Sequence, residues 1–142
     1  MLTRRRFAGF ASCAICAATG FVAAEASAQG MAPLAAGGVK RTTLTQMDGP
    51  TPGYVTINML TELEPNASLA RHTHPGIESG YVVDGGIDLQ VKGQAALALK
   101  AGGGWTVAPE TPHAVKNGDK KTTYAITYVV EKGKPLVSPA PE

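Results

Sequence analysis

Glycine-containing turn signals recur at short intervals from residue 48 onward. They stand at Asp48-Gly49-Pro50, Pro52-Gly53, Asp84-Gly85-Gly86, Lys92-Gly93, Gly102-Gly103-Gly104 and Asn117-Gly118-Asp119. Such breaks leave little room for helices long enough to be stable, but each interval suits a strand of ordinary length. The composition between the breaks agrees. Tyr54 to Leu63 favours β structure, Ile87 to Val91 alternates between apolar and polar residues, and Thr122 to Val130 is β-branched and aromatic throughout. Lys40 to Gln46 mixes threonine with apolar residues and reads as a further strand, separated from the next by a turn over Met47 to Gly53. Gln94 to Lys100 has helix-favouring residues, yet it is short and bracketed by glycines, so a strand is expected there too. This pattern predicts an all-β sandwich or barrel of antiparallel strands.

Within that frame the titratable residues are unevenly placed. The chain has 3 histidines, and they fall in two segments, Arg71-His72-Thr73-His74-Pro75-Gly76-Ile77-Glu78 and Pro109-Glu110-Thr111-Pro112-His113-Ala114-Val115-Lys116-Asn117. His72 and His74 are two apart, so on an extended strand both rings point to one side. Pro75-Gly76 then breaks the strand, and the turn at Asp84-Gly85 is expected to bring Glu78 back beside the two rings. A facing strand carrying His113 would complete the cluster. A lone histidine on a strand is ordinarily a core or surface residue. Three imidazoles with one carboxylate form instead a nitrogen and oxygen donor set suited to iron, manganese, nickel, copper or zinc. Without a thiolate, a structural zinc site is disfavoured.

The two segments resemble the paired motifs of the cupin superfamily. The first motif has a glycine, His-x-His, a glutamate and a closing glycine, matched in register by His72, His74, Glu78 and Gly85, with Asn66 in the leading glycine's place. The second ends in a histidine and an asparagine, matched by His113 and Asn117. Its earlier part fits in two ways. Gly103 and Pro109 match with an interval one residue short; with Gly102 leading, the interval is normal but Ala108 and Glu110 replace a proline and a glycine. The resemblance covers roughly Tyr54 to Val130 and implies a single jelly-roll β-barrel. It further implies one divalent transition metal held by His72, His74, Glu78 and His113. Four protein ligands would leave two octahedral positions open for a small-molecule substrate.

The first residues read as an address. Thr3-Arg4-Arg5-Arg6-Phe7 precedes an alanine-rich apolar run to about Ala24, and Ala26-Ser27-Ala28 offers small residues for cleavage. Paired arginines before a phenylalanine resemble the twin-arginine export type, so a periplasmic or secreted protein is expected, without a stable membrane anchor after cleavage. A transmembrane anchor is the weaker reading, because Gly20 interrupts the run. The segment also contains both cysteines, Cys13 and Cys16, so their spacing is not a redox or zinc motif in the mature chain. The formal net charge of +2 rests on it as well. Removing Arg4, Arg5, Arg6 and Glu25 leaves equal numbers of acidic and basic side chains, and no basic patch remains to argue for nucleic acid.

The expected organisation is therefore an export signal over 1–28, a linker over 29–39, the β-barrel over 40–131 and a loose proline-rich tail over 132–142. Ser68, Ala70, Gly80, Val82 and Val115 are expected to face inward. Arg71 should point to solvent, and Glu110 reads as a polar loop residue. Trp105, Tyr81, Tyr124 and Tyr128 read as core aromatics and Asn117 as a turn residue. The resemblance to small quercetinase-like cupins implies a metal-dependent, dioxygenase-like oxidoreductase acting on a small enolic or aromatic substrate, with Glu78 able to detach as a base. A non-catalytic metal-dependent binding module is the alternative and an isomerase the third reading. A homodimer through edge strands is expected on the same ground.

Overall fold

A computed structural model describes residues 37–141. The export signal and nearly all of the linker expected from the sequence lie outside the described residues. Ten strands follow one another: β1 (Val39–Asp48), β2 (Tyr54–Leu63), β3 (Ser68–Thr73), β4 (Gly76–Asp84), β5 (Gly86–Val91), β6 (Leu97–Lys100), β7 (Gly104–Val107), β8 (His113–Asn117), β9 (Thr122–Glu131) and β10 (Ser138–Pro139). They form two five-stranded sheets, ordered β1-β2-β9-β4-β7 and β10-β3-β8-β5-β6, and every pairing is antiparallel. No helix occurs among the described residues. This is the all-β jelly roll that the turn spacing and the motif resemblance imply.

The two sheets close on a shared apolar interior. β2 and β9 alternate strictly between buried and half-buried residues along all ten positions of each, which sends Val55, Ile57, Met59, Tyr124, Ile126, Tyr128 and Val130 into the core. Leu89, Val82 and Leu63 are fully buried among them. The ambiguous segment is a strand only from Leu97, where β6 pairs with β5 at the outer edge of the second sheet.

Three features depart from the expected layout, and all bear on the site. The β3 and β8 register shifts between Leu69 and His72, and this bulge reverses the side-chain parity. Leu69 therefore faces the core, while Ser68 and Ala70 are exposed rather than inward. Val82 and Val115 are buried as expected, and Gly80 is half-buried. Secondly, Glu78 does not reach the histidines through the turn at Asp84-Gly85. The crossover after Thr73 carries the chain from the second sheet into β4 of the first, so Glu78 faces His72 from across the interior.

Thirdly, the proline-rich tail is docked. Leu136 and Val137 are buried, and β10 pairs with β3, Ser138 opposite Thr73 and Pro139 opposite His72. The prolines bar the tail from a central strand, but an edge position tolerates them. The backbone N–H of Ala140 donates to the carbonyl of Arg71 and extends the attachment.

Candidate metal centre

Each histidine is placed by a different piece of backbone. His72 and His113 lie directly opposite each other on β3 and β8, in the same sheet, so His113 is a neighbour of His72 rather than a facing partner. His74 stands in the crossover just beyond β3, and Glu78 enters on β4. All four are buried, and one candidate ligand atom from each lies within 4.8 Å of the others. The imidazole centroids are 4.3 to 5.1 Å apart.

The outer hydrogen bonds decide which ring atoms face inward. His72 Nδ1 lies 2.7 Å from the carbonyl of Ala70, His74 Nδ1 lies 2.6 Å from that of Leu136, and His113 Nδ1 lies 2.9 Å from that of Thr111. A carbonyl only accepts, so each Nδ1 carries the hydrogen and donates it. That leaves the three Nε2 lone pairs for the interior, the arrangement that metal-ligating histidines adopt. The carboxylate is oriented in the same manner. Trp105 Nε1 donates to Glu78 Oε1 at 2.7 Å, and the other oxygen, Oε2, approaches His74 Nε2 at 2.8 Å and His113 Nε2 at 3.5 Å. Yet the buried Nε2 atoms of His74 and His113 make no well-aligned hydrogen bond. They lie near Oε2 without pointing at it. Three nitrogens and one oxygen thus surround a common point, and the residues present fit a divalent transition metal.

Electrostatics sort the four groups. Burial disfavours the charged form of Glu78, but the adjacent imidazoles of His113 and His74 outweigh it and hold the carboxyl well below its usual range. His113 shows the reciprocal effect: burial lowers its pKa, Glu78 more than restores it, and the net direction is upward. His72 lacks that partner. Burial and the neighbouring His113 push it down to about 4, so it is neutral and ready to ligate. Metal binding near neutral pH is therefore expected to expel a proton mainly from His113. Protons compete with the metal, so affinity should fall as pH drops below the raised pKa of His113, with His72 contributing only near pH 4. Titration calorimetry in buffers of different ionisation enthalpy measures the released proton; a proton count of zero across pH 6 to 8 would contradict this assignment.

The cluster lines a narrow pocket that is partly open to solvent. Its walls include Arg41, Leu69, Val115, Ile126, Val137 and the three aromatics Trp105, Tyr124 and Tyr128. These aromatics are buried as core residues should be, but they also face the site, which sequence reasoning missed. Tyr81, by contrast, is 52% exposed and belongs to the outer face of its sheet. Tyr128 packs against His74 with ring centroids 4.8 Å apart. Burial, followed by the charge of Glu78, raises the pKa of both Tyr124 and Tyr128, so both phenols remain protonated donors.

Trp105 reaches Glu78 only because residue 80 has no side chain. A Cβ on Gly80 would lie 2.0 Å from Trp105 Cζ2, so the indole rests directly on the glycine. Trp105→Phe should keep the packing while removing the donor to Oε1. We expect metal affinity to fall roughly 10- to 100-fold, the usual cost of losing a ligand's orienting partner. Competition with a chromogenic chelator measures it, and unchanged affinity would show that Trp105 is only a core residue.

The family's turn positions are occupied by residues that tolerate them unequally. Asn66, in the leading glycine's place, has φ 62°, and Glu110 has φ 53°. The left-handed conformation at Glu110 selects the second of the two motif alignments, in which Gly102 leads and Glu110 replaces a glycine. Glu110 is indeed in an exposed loop, and its N–H donates to the carbonyl of His74. Asn117 does more than turn the chain. It is buried, donates to the carbonyls of Leu63, Glu64 and Lys120, and accepts from Thr122 Oγ1 and the N–H of Gly118. Arg71, expected in solvent, is half-buried with its Nε enclosed and unpartnered.

A family model described as Cupin domain matches residues 59–131, just over half of the chain. This protein belongs to the cupin family. No curated protein is significantly similar to this cupin in sequence. Solved structures show the fold. An uncharacterised protein with a double-stranded β-helix domain from Klebsiella pneumoniae is 18% identical with a TM-score of 0.60, covering 79% of this chain and 91% of that one. The DMSP lyase DddQ from Ruegeria pomeroyi is 13% identical with a TM-score of 0.63, covering 72% of this cupin and 52% of the lyase. The polyketide cyclase RemF from Streptomyces resistomycificus is 16% identical with a TM-score of 0.60, covering 73% of this chain and 72% of that one.

Proposed function

We propose that the protein is an exported, metal-dependent oxidoreductase of dioxygenase type that acts on a small enolic or aromatic substrate, with His72, His74, Glu78 and His113 as ligands. The convergence of three inward Nε2 atoms with Glu78 Oε2 carries this reading. Iron, manganese, nickel or copper bound there would supply Lewis acidity and a redox-active centre. The chain's own residues supply the rest. Glu78 is held at Oε1 by Trp105, and Oε2, once detached from the ligand set, would take the proton of a substrate hydroxyl. Tyr124 and Tyr128 offer O–H donors to substrate oxygens, while Leu69, Val115, Ile126 and Val137 keep the surroundings apolar. Low local polarity strengthens every charge interaction inside.

Oxygen uptake tests the proposal. Protein loaded with iron(II), manganese, nickel or copper should consume dioxygen with a panel of flavonols, catechols and enolisable diketones, and the zinc form should not, since zinc has no redox chemistry. Glu78→Gln should reduce turnover by about 100-fold or more, the usual range for a lost acid–base group, and by more than it reduces metal content. An amide oxygen can still ligate but cannot take the proton. Equal loss of metal and turnover would leave Glu78 as a ligand only. A second reading is redox-neutral lyase or cyclase chemistry, favoured by the two protonated phenols on the cavity wall and by the lyase and cyclase among the structural neighbours. Product formation without oxygen uptake, in the zinc form as well, would select it. The export proposal rests on Arg4-Arg5-Arg6-Phe7. Cell fractionation, with and without replacement of the arginines by lysine, tests it.

A further inference from the structure

Among the described residues, Arg41 is the one lysine or arginine that lines the cavity. Its placement follows from register. Arg41 pairs with Thr61 of β2, whose side chain faces the core, so Arg41 lies on the inner face of β1, the edge strand of its sheet. It is half-buried. A guanidinium in that position is ordinarily matched by a carboxylate. Here the ion pairs of the described residues leave it out. Glu78 is engaged by His74, His113 and Trp105, while Glu62 binds Lys40 and Lys121 on the other face of the sheet. Arg41 thus brings an uncompensated positive charge to the wall of a cavity whose floor fits a divalent metal.

The charge balance points to the missing partner. A divalent ion offset by Glu78 alone, together with Arg41, leaves the site two charges positive when the imidazoles are neutral. A substrate that is negative at two places would neutralise it: one oxygen anion toward the metal, and a second anionic group toward the guanidinium. The planar fork of arginine matches a carboxylate with two parallel hydrogen bonds. We infer that Arg41 is the specificity-determining residue for a carboxylate, so that the substrates are small molecules joining a catechol or enol to a carboxylic acid. This inference rests on the metal site and substrate class proposed above and narrows them.

Binding to the zinc-loaded protein, which does not turn over a redox substrate, separates the two ideas. The probes are 3,4-dihydroxybenzoate and 3,4-dihydroxyphenylacetate, each beside its neutral amide of nearly the same shape. At least one acid should bind roughly tenfold or more tightly than its amide, as a charge-assisted pair in a partly dry site provides. Added salt should narrow that ratio. In Arg41→Met the ratio should collapse to about one, and Arg41→Lys should keep part of it, since the charge remains and the fork is lost. Equal binding of acid and amide by the unaltered protein, or a preference that survives in Arg41→Met, would overturn the role of Arg41 while leaving the metal site standing. Failure of all four probes to bind a zinc-containing protein would overturn the substrate class and this inference together. Failure to hold zinc or any of the other divalent transition metals named above would refute the metal site itself.

Discussion

Protein purified from its own compartment should carry about one divalent transition metal per chain, and His72→Ala or His113→Ala should lose most of it. Each imidazole supplies one of only four donor atoms, and no other histidine or cysteine among the described residues lies near enough to substitute. Loss of a direct ligand should cost more than the 10- to 100-fold that accompanies loss of an orienting partner, so an affinity drop beyond about 100-fold is expected. The same metal should stabilise the fold. Its four ligands would come from β3, β8, β4 and the crossover, which belong to both sheets, and an ion present at about 1,000 times its dissociation constant would add roughly 4 kcal/mol. For a domain of this size that corresponds to a melting temperature more than about 10 °C higher, reversed by a chelator and absent in the two variants. Elemental analysis and thermal melting with and without chelator measure both effects. Metal retained in both alanine variants would refute the site.

The second large effect should come from the far end of the chain. Ending the protein at Lys134 removes Leu136 and Val137, which are 2% and 6% exposed, together with the β10 pairing to β3. Burying two such side chains stabilises a fold by roughly 3 to 6 kcal/mol, a large share of the total for a small domain. It also removes the carbonyl of Leu136, the acceptor that fixes the His74 ring with Nε2 inward, and opens the cavity wall at Val137. Metal affinity should fall with stability, by roughly 10- to 100-fold in whatever fraction remains folded. Leu136→Ala separates the two contributions. It should cost about 2 to 5 kcal/mol through the cavity it creates while retaining the backbone carbonyl, so its metal affinity should suffer less than that of the truncated chain. Melting curves and chelator competition on both proteins give the comparison. A truncated protein as stable and as metal-avid as the full chain would show that the docked tail has no part in the site.

The class of fold was legible because it rests on local chemistry. Turn residues at short intervals and β-branched runs such as Thr122 to Val130 act over a few neighbouring residues, and two-residue spacing on a strand holds wherever the strand is placed. For the same reason the identity of the clustered residues could be read: donor chemistry belongs to the side chain, and His72, His74, Glu78 and His113 do come together. What the sequence left open depends on contacts between distant segments. No local signal marks the β3 bulge, which reverses parity and turns Leu69 inward in place of Ser68 and Ala70. The prolines of the tail exclude a central strand but leave an edge available, and only the packed sheet shows that β3 offers one. The tautomers of the histidines depend on three backbone carbonyls, one of them 62 residues away, and the orientation of Glu78 depends on an indole resting on Gly80. No local signal in the sequence singles out Arg41; the pairing of β1 with β2 places it on the wall of the cavity. Side-chain type and local periodicity were thus set residue by residue. Facing, partner and protonation state were decided by the tertiary structure, because they are properties of groups that meet only when the two sheets close.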